Sequence, residues 1–207
     1  MCKFLSAIGM KNGDILCDPS VDSHEDIISI HELNDNNSKL RNWVRLEFSP
    51  EKDKDLIDVE KYKLRIDDTE FDWVTTELKL KWIRKLKAKL KRIIITKNTK
   101  TLASGTYILS GAIIEKPLYC RIYYAGNSMI INAEYSTIEY AGNSMIINAG
   151  YSMIINAGYS KIKDAGNSKI KDAGNSKIED AGYSKIEYAG NSKIKDAGNS
   201  TIKYPKS

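Results

Sequence analysis

Ala165-Gly166-Asn167-Ser168-Lys169-Ile170-Lys171-Asp172 is one of ten consecutive octads that fill residues 125–204 and read A-G-[N/Y]-S-x-I-x-[D/N/Y]. Ala, Ser and Ile recur in every copy, whereas the fifth and seventh places vary. A fixed short period of this kind describes a stacked array in which each unit buries its apolar face against its neighbours. Eight residues are too few for a pair of helices. Ser at the fourth place and Ile at the sixth alternate with variable neighbours, the period-two pattern of a strand with one buried face. Ser and Ile are therefore expected to point inward and the fifth and seventh places outward. Gly beside Asn or Asp at the joints supplies turns, because Gly takes positive φ at no steric cost. One strand and one turn are cramped as a closed coil, so two octads per coil are expected. The result is a short, flattened parallel β-solenoid with 16-residue coils, about five of them, stacked at about 4.8 Å per strand. Stacked Ser hydroxyls are expected to bond one another or the backbone along the axis.

The outward places change character along the tail. Late copies carry Lys161, Lys163, Lys169, Lys171, Lys177, Glu179, Lys185, Glu187, Lys193 and Lys195, as solvent-facing positions should. Early copies carry Met129, Ile131, Met145 and Ile147 in octads one and three, and Met153 and Ile155 in octad four. With two octads per coil, octads one and three stack, which gathers Met129, Ile131, Met145 and Ile147 into one patch and leaves a smaller one on the opposite face. An exposed apolar patch marks a contact surface, for the N-terminal domain of the same chain or for a partner. After the last octad the sequence shows only Pro205-Lys206-Ser207. Unpaired backbone there invites pairing, so a homodimer through the C-terminal coils is expected, with Tyr183, Tyr188 and Tyr204 supplying the contact.

The tail resembles the A-G-Y-x-S-x-x-x octads of bacterial ice-nucleation proteins, and the resemblance, confined to residues 125–204, implies a β-solenoid with two octads per coil. That family's ice-organising function implies long flat arrays of outward T-x-T. Here the outward residues are Lys, Glu, Met and Ile, with Thr only at Thr137 and Thr201. Ice binding is therefore disfavoured.

Residues 1–124 hold all three Trp, Cys and Phe and both His, enough apolar material for a modest core. They read as an α+β capping domain, with 125–204 as the solenoid and 205–207 as a tail. Residues 3–9 and 14–17 form a hairpin turned at Asn12-Gly13, which would set Cys17 opposite Ile8. Asp22-Ser23-His24 opens a helix to about Leu33, and Asn34-Asp35-Asn36-Asn37-Ser38 is a loop. Val44, Leu46 and Phe48 share one face of a strand, and Tyr62, Leu64 and Ile66 mark another. A helix follows from about Thr76 to Ile95. Short strands at 106–109, 112–115 and 118–124 complete the domain, the last leading into the first octad. The opening resembles uncharacterised bacterial and phage proteins that begin M-C-x-F-x-S-A and continue N-G-D-I, D-S-H-E-D and V-R-x-E-F, here residues 1–7, 12–15, 22–26 and 44–48. That resemblance implies a phage or mobile-element origin and no activity.

Three constellations bear on chemistry. Removal of Met1 would give Cys2 both a thiol and a free amine, the pair used by N-terminal nucleophile amidohydrolases; a small buried Cys at a strand start is the commoner meaning. His24 and His31, seven residues apart on a helix, lie about 10 Å from each other, too far to share a metal unaided. The third is the helix. Leu78, Trp82, Ile83, Leu86, Leu90, Ile93 and Ile94 form an apolar stripe, and Lys81, Arg84, Lys85, Lys87, Lys91 and Arg92 line the other side, with no acid between residues 78 and 92. Such a face is solvated in most proteins, yet its field suits phosphates, and Asp67, Asp68, Glu70 and Asp72 are placed to neutralise part of it.

The formal charge of +5 is spread over the chain, so net charge alone selects no polyanionic partner. No apolar run long enough for a membrane span and no signal peptide is present, and an odd cysteine count suits a reducing compartment, so a cytoplasmic protein without membrane contact is expected. No motif calls for a cofactor or a metal. The function expected is non-enzymatic: a binding or scaffold protein with a protein partner. The alternatives are nucleic-acid binding through helix 79–92 and an amidohydrolase-like enzyme using Cys2.

Overall fold

The computed structural model describes residues 5–21, 23–33, 41–52, 55–68 and 71–204, and the chain divides into one unit of Met1–Arg92 and a second of Ile93–Ser207. In the first unit, β1 (Ser6–Met10), β2 (Ile15–Leu16), β3 (Trp43–Pro50) and β4 (Tyr62–Ile66) form an antiparallel sheet in the order β2-β1-β3-β4. Val44, Leu46 and Phe48 are fully buried on one face, as their alternation requires. Helix α1 (His24–Ile30) starts at its N-cap Ser23, whose hydroxyl accepts from the Asp26 amide. It stops earlier than expected, leaving His31 at its C-cap. Ile27 of α1 packs with Ile8 and Trp43. Helix α2 (Thr76–Ile93) buries Trp82, Leu86 and Leu90. The Trp82 indole donates to the Met10 carbonyl at 3.2 Å, and a Cβ at Gly9 would come within 2.9 Å of its ring, so glycine there admits the helix.

The hairpin register differs from expectation by one residue. Ile8 faces Leu16 and Gly9 faces Ile15, so Cys17 is not opposite Ile8. The Met10 amide bonds the Asp14 carbonyl, which leaves a three-residue loop with Gly13 at φ 86. A loop of three places its left-handed residue last, where Gly13 stands, and Asn12 lacks the positive φ that a two-residue type I′ turn asks of both its central residues.

The second unit is a parallel β-solenoid. Elements β5 (Ile94–Ile95), β6 (Thr99–Leu102), β7 (Thr106–Leu109), β8 (Ile113–Pro117), β9 (Arg121–Tyr124), β10 (Met129–Ile130), β11 (Thr137–Tyr140), β12 (Met145–Asn148), β13 (Met153–Asn156), β14 (Lys161–Asp164), β15 (Lys169–Asp172), β16 (Lys177–Asp180), β17 (Lys185–Tyr188), β18 (Lys193–Asp196) and β19 (Thr201–Ile202) alternate between two sheets. Among the described residues one sheet stacks the seven even strands β6 to β18 and the other the eight odd strands β5 to β19. Ile130 pairs with Ile146 and Ile146 with Ile162, so one coil takes two octads. The ten octads make the five expected coils. The ladder begins earlier, however: β5 to β9, assigned from sequence to the capping domain or its helix, already stack in it. The boundary between the units thus falls at residues 92 and 93 and not at 124 and 125, and the expected helix to Ile95 ends at Ile93 because Ile94 and Ile95 pair with Ile108 and Leu109.

Inside the solenoid, Ile138, Ile146, Ile154, Ile162, Ile170, Ile178 and Ile186 are fully buried, with the octad alanines from Ala125 to Ala189, and the serines from Ser128 to Ser184 are nearly so. At Gly174, φ is 57 and an added Cβ would lie 2.8 Å from the Gly158 carbonyl oxygen of the preceding coil, so the turn demands glycine for conformation and space together. Octad two has Glu134 in the glycine place, and the left-handed conformation moves to Tyr135, at φ 54.

The serine ladder departs from expectation. Ser136 donates to the Pro117 carbonyl at 3.0 Å and accepts from the Cys120 amide, and Ser128 accepts from the Ala112 amide. From Ser144 to Ser192 the octad hydroxyls have no hydrogen-bond partner among the described residues. Successive strands stand about 4.8 Å apart, beyond the 2.5–3.0 Å or so of a hydroxyl bond, so hydroxyls in register do not reach each other.

Candidate functional site

The seven-stranded sheet carries the apolar patch. Met129 on β10 pairs directly with Met145 on β12, and β10 pairs with β8, where Ile113 is exposed. Ile131 and Ile147 follow two residues after each Met, and all four are half-buried. The patch stops at Lys161, the register partner of Met145, and Lys177 and Lys193 continue the row. Met153 and Ile155 lie on β13 of the eight-stranded sheet, the smaller second patch.

Beyond the patch, charges are arranged to relieve their own repulsion. Like charges directly opposite destabilise a sheet, and here Lys161 faces Lys177. Glu179 sits 2.8 Å from the Lys161 ammonium and 3.9 Å from that of Lys177. In the other sheet Glu187 repeats this with Lys169 at 3.0 Å and Lys185 at 3.5 Å. The hydrogen bonds from Lys161 and Lys169 hold the two carboxyls below the usual range for glutamate. Arg121 and Glu139 pair one coil apart nearer the start of that sheet.

The basic helix is tied to its own unit. Lys85 binds Asp14 at 2.7 Å, Lys87 and Lys91 bind Glu60, and Lys81 donates to the Asn12 carbonyl at 3.0 Å. These bonds hold the Asp14 and Glu60 carboxyls below their ordinary values. Arg84 bonds the Leu80 carbonyl within the helix, and Arg92 is exposed with no ion pair among the described residues. The neutralising acids are thus Asp14 and Glu60. Asp68, expected in that role, pairs instead with Arg41 at 2.8 Å and Arg45 at 3.1 Å.

The remaining candidates carry structural roles or fall outside the description. His24 is buried with Nε2 2.9 Å from the Leu46 carbonyl oxygen. Among the described residues no three His, Cys, Asp or Glu side chains gather as metal ligands, and no helix is long and apolar enough to cross a membrane. Cys2 and residues 205–207 lie outside the described residues. Cys120 is buried, and burial pushes its thiol up. Tyr183, Tyr188 and Tyr204 are exposed. A feature that sequence reasoning missed is a column of exposed, stacked tyrosines: Tyr119 and Tyr135 with centroids 5.3 Å apart, and Tyr135 and Tyr151 at 5.4 Å. Their sixteen-residue spacing was the available signal.

Compared with known proteins, the chain matches no family model, no curated protein and no solved structure.

Proposed function

We propose that this protein is a non-enzymatic binding scaffold whose solenoid presents Met129, Ile131, Met145 and Ile147 as the contact surface for a partner protein. The observation that carries this reading is the direct register of Met129 with Met145, where the later coils place lysines. A sheet face spends outward methionine and isoleucine where apolar contact is made and charge where water is met. Flat rows of side chains favour an extended partner, whereas catalysis calls for polar groups converging in a concave site. The likeness of the opening to phage-type proteins extends the proposal to a mobile-element protein acting on a host protein. Nucleic-acid binding through the basic helix stands second, because Asp14 and Glu60 already engage Lys85, Lys87 and Lys91.

The test is affinity capture from host-like lysate with the parent chain and with Met129→Lys/Met145→Lys, alongside thermal melts and sedimentation. A protein retained by the parent and lost by the double variant, with the melt unchanged, supports the reading. The same retained set for both chains refutes it, and nucleic acid retained by both would move the function to the helix.

A further inference from the structure

In the N-terminal unit, β2 and one face of α2 border an open cleft of about 470 Å³, within the size range of small-ligand pockets. Lys85, Ala88, Lys89 and Arg92 line one side. Their spacing of three, four and seven residues puts them on one helix face. Ile15 and Leu16 of β2 form the apolar wall, and Asp14 is the single acid in the lining. Lys85 already binds that acid, at 2.7 Å. Lys89 donates to the Cys17 carbonyl at 3.2 Å, and the Asp18 carboxylate, which Lys89 helps hold below its ordinary value, offsets part of its charge. Arg92, one turn further on, has no ion pair among the described residues. The Cys17 thiol adds no further negative charge, since burial pushes it up.

We propose that this cleft binds a small phosphate monoester with an apolar body, its phosphoryl group between Lys89 and Arg92 and its body against Ile15 and Leu16. Arg92, without an ion pair among the described residues, and Lys89, only partly offset by Asp18, suit an anionic phosphoryl group, and the guanidinium fork of Arg92 can present paired donors to its oxygens. The cleft is too small for a duplex. The apolar wall distinguishes the ligand from inorganic phosphate. This site is independent of the solenoid face proposed above.

The experiment titrates the full chain at low ionic strength with phenyl phosphate, inorganic phosphate and phenol, following backbone amides by NMR. Phenyl phosphate is expected to give saturable shifts at residues 14–17 and 85–92, with inorganic phosphate and phenol each binding more weakly. Lys89→Gln and Arg92→Gln, whose circular dichroism and melting should match the parent, are each expected to weaken phenyl phosphate roughly tenfold, the loss of one charge-assisted bond. Arg92→Lys, which keeps charge without the fork, should fall between. Absence of saturable binding, equal binding of phenol, or unchanged affinity in both glutamine variants overturns the proposal. So does a short DNA duplex that shifts the same amides when phenyl phosphate does not.

Discussion

Trp82 reaches its place in the N-terminal unit by bonding a carbonyl 72 residues away, whereas Ile170 in the solenoid pairs with Ile154 and Ile186, each sixteen residues off. Both side chains are fully buried. The first core is a set of distant, dissimilar pieces that must arrive together. The second is one local rule repeated, so its stability should behave as a sum over neighbouring coils. The same contrast holds for charge. Lys85 and Lys87 find their acids in other elements of the unit, while Lys161 and Lys169 find theirs one coil along.

The hardest blow to that comparison would come from paired core truncations. Trp82→Ala should cost the N-terminal unit about 3–5 kcal/mol, and Ile170→Ala should cost the solenoid about 2–5 kcal/mol. Urea unfolding followed by residue-resolved hydrogen exchange reads the two apart. Ile170→Ala should lower protection most in β13, β15 and β17, with little change at β1 or β3, and a uniform loss over both units would show that the two do not unfold separately. Gly174→Ala should be next, losing about 1–2 kcal/mol to the left-handed backbone alone, with the close Gly158 carbonyl adding to it. A melting temperature equal to the parent's would contradict the close approach of the coils.

Serine substitutions sharpen the picture within one column. Ser136→Ala should cost about 1 kcal/mol, because the Pro117 carbonyl and the Cys120 amide lose a partner. Ser168→Ala should cost nothing or stabilise, since its hydroxyl bonds no protein group. Equal losses from chemical denaturation would mean that the two serines do the same job. The smallest effect concerns the exposed ion pairs. The carboxyls of Glu179 and Glu187 titrate lower in the folded chain than the usual value of about 4.3. Their contribution is therefore fully present above that pH and is lost as the pH falls through the lower folded values. Glu179→Gln should melt slightly below the parent at pH 7 in low salt, and the gap should close at pH 3 or in high salt. A gap that persists under both conditions would assign Glu179 a packing role instead.

Legibility differed between the units for a physical reason. Residues 125–204 announced their coil length and buried positions, and with these the stacking of Met129 on Met145, because a period-two strand repeated every eight residues leaves few ways to hide Ile. The same period could have been followed upstream. Ile114 and Ile122 lie sixteen residues before Ile130 and Ile138 and pair with them, while Ala112 and Cys120 stand where Ser128 and Ser136 stand one coil later. With the glycine and serine places altered, the octad no longer showed, although the ladder continued. In the hairpin, Asn12-Gly13 marked a turn correctly but not its length, and one residue of loop changed every cross-strand partner. The basic face of α2 was equally legible as a row of charges and illegible as a set of bonds.

The octads alone suffice to specify the solenoid, its sixteen-residue coil, which octad residues face inward and where apolar outward residues give way to lysine. These follow from local alternation and period, which each octad carries whole. Packing in three dimensions set the start of the ladder at Ile94, bonded Ser136 while leaving Ser168 without a partner among the described residues, and brought Asp14 and Glu60 to the helix lysines. It also decided that Lys89 and Arg92 line a cleft with Ile15 and Leu16. Those outcomes depend on distances between particular side chains and backbone groups, and these are fixed only when the elements of each unit have packed among themselves.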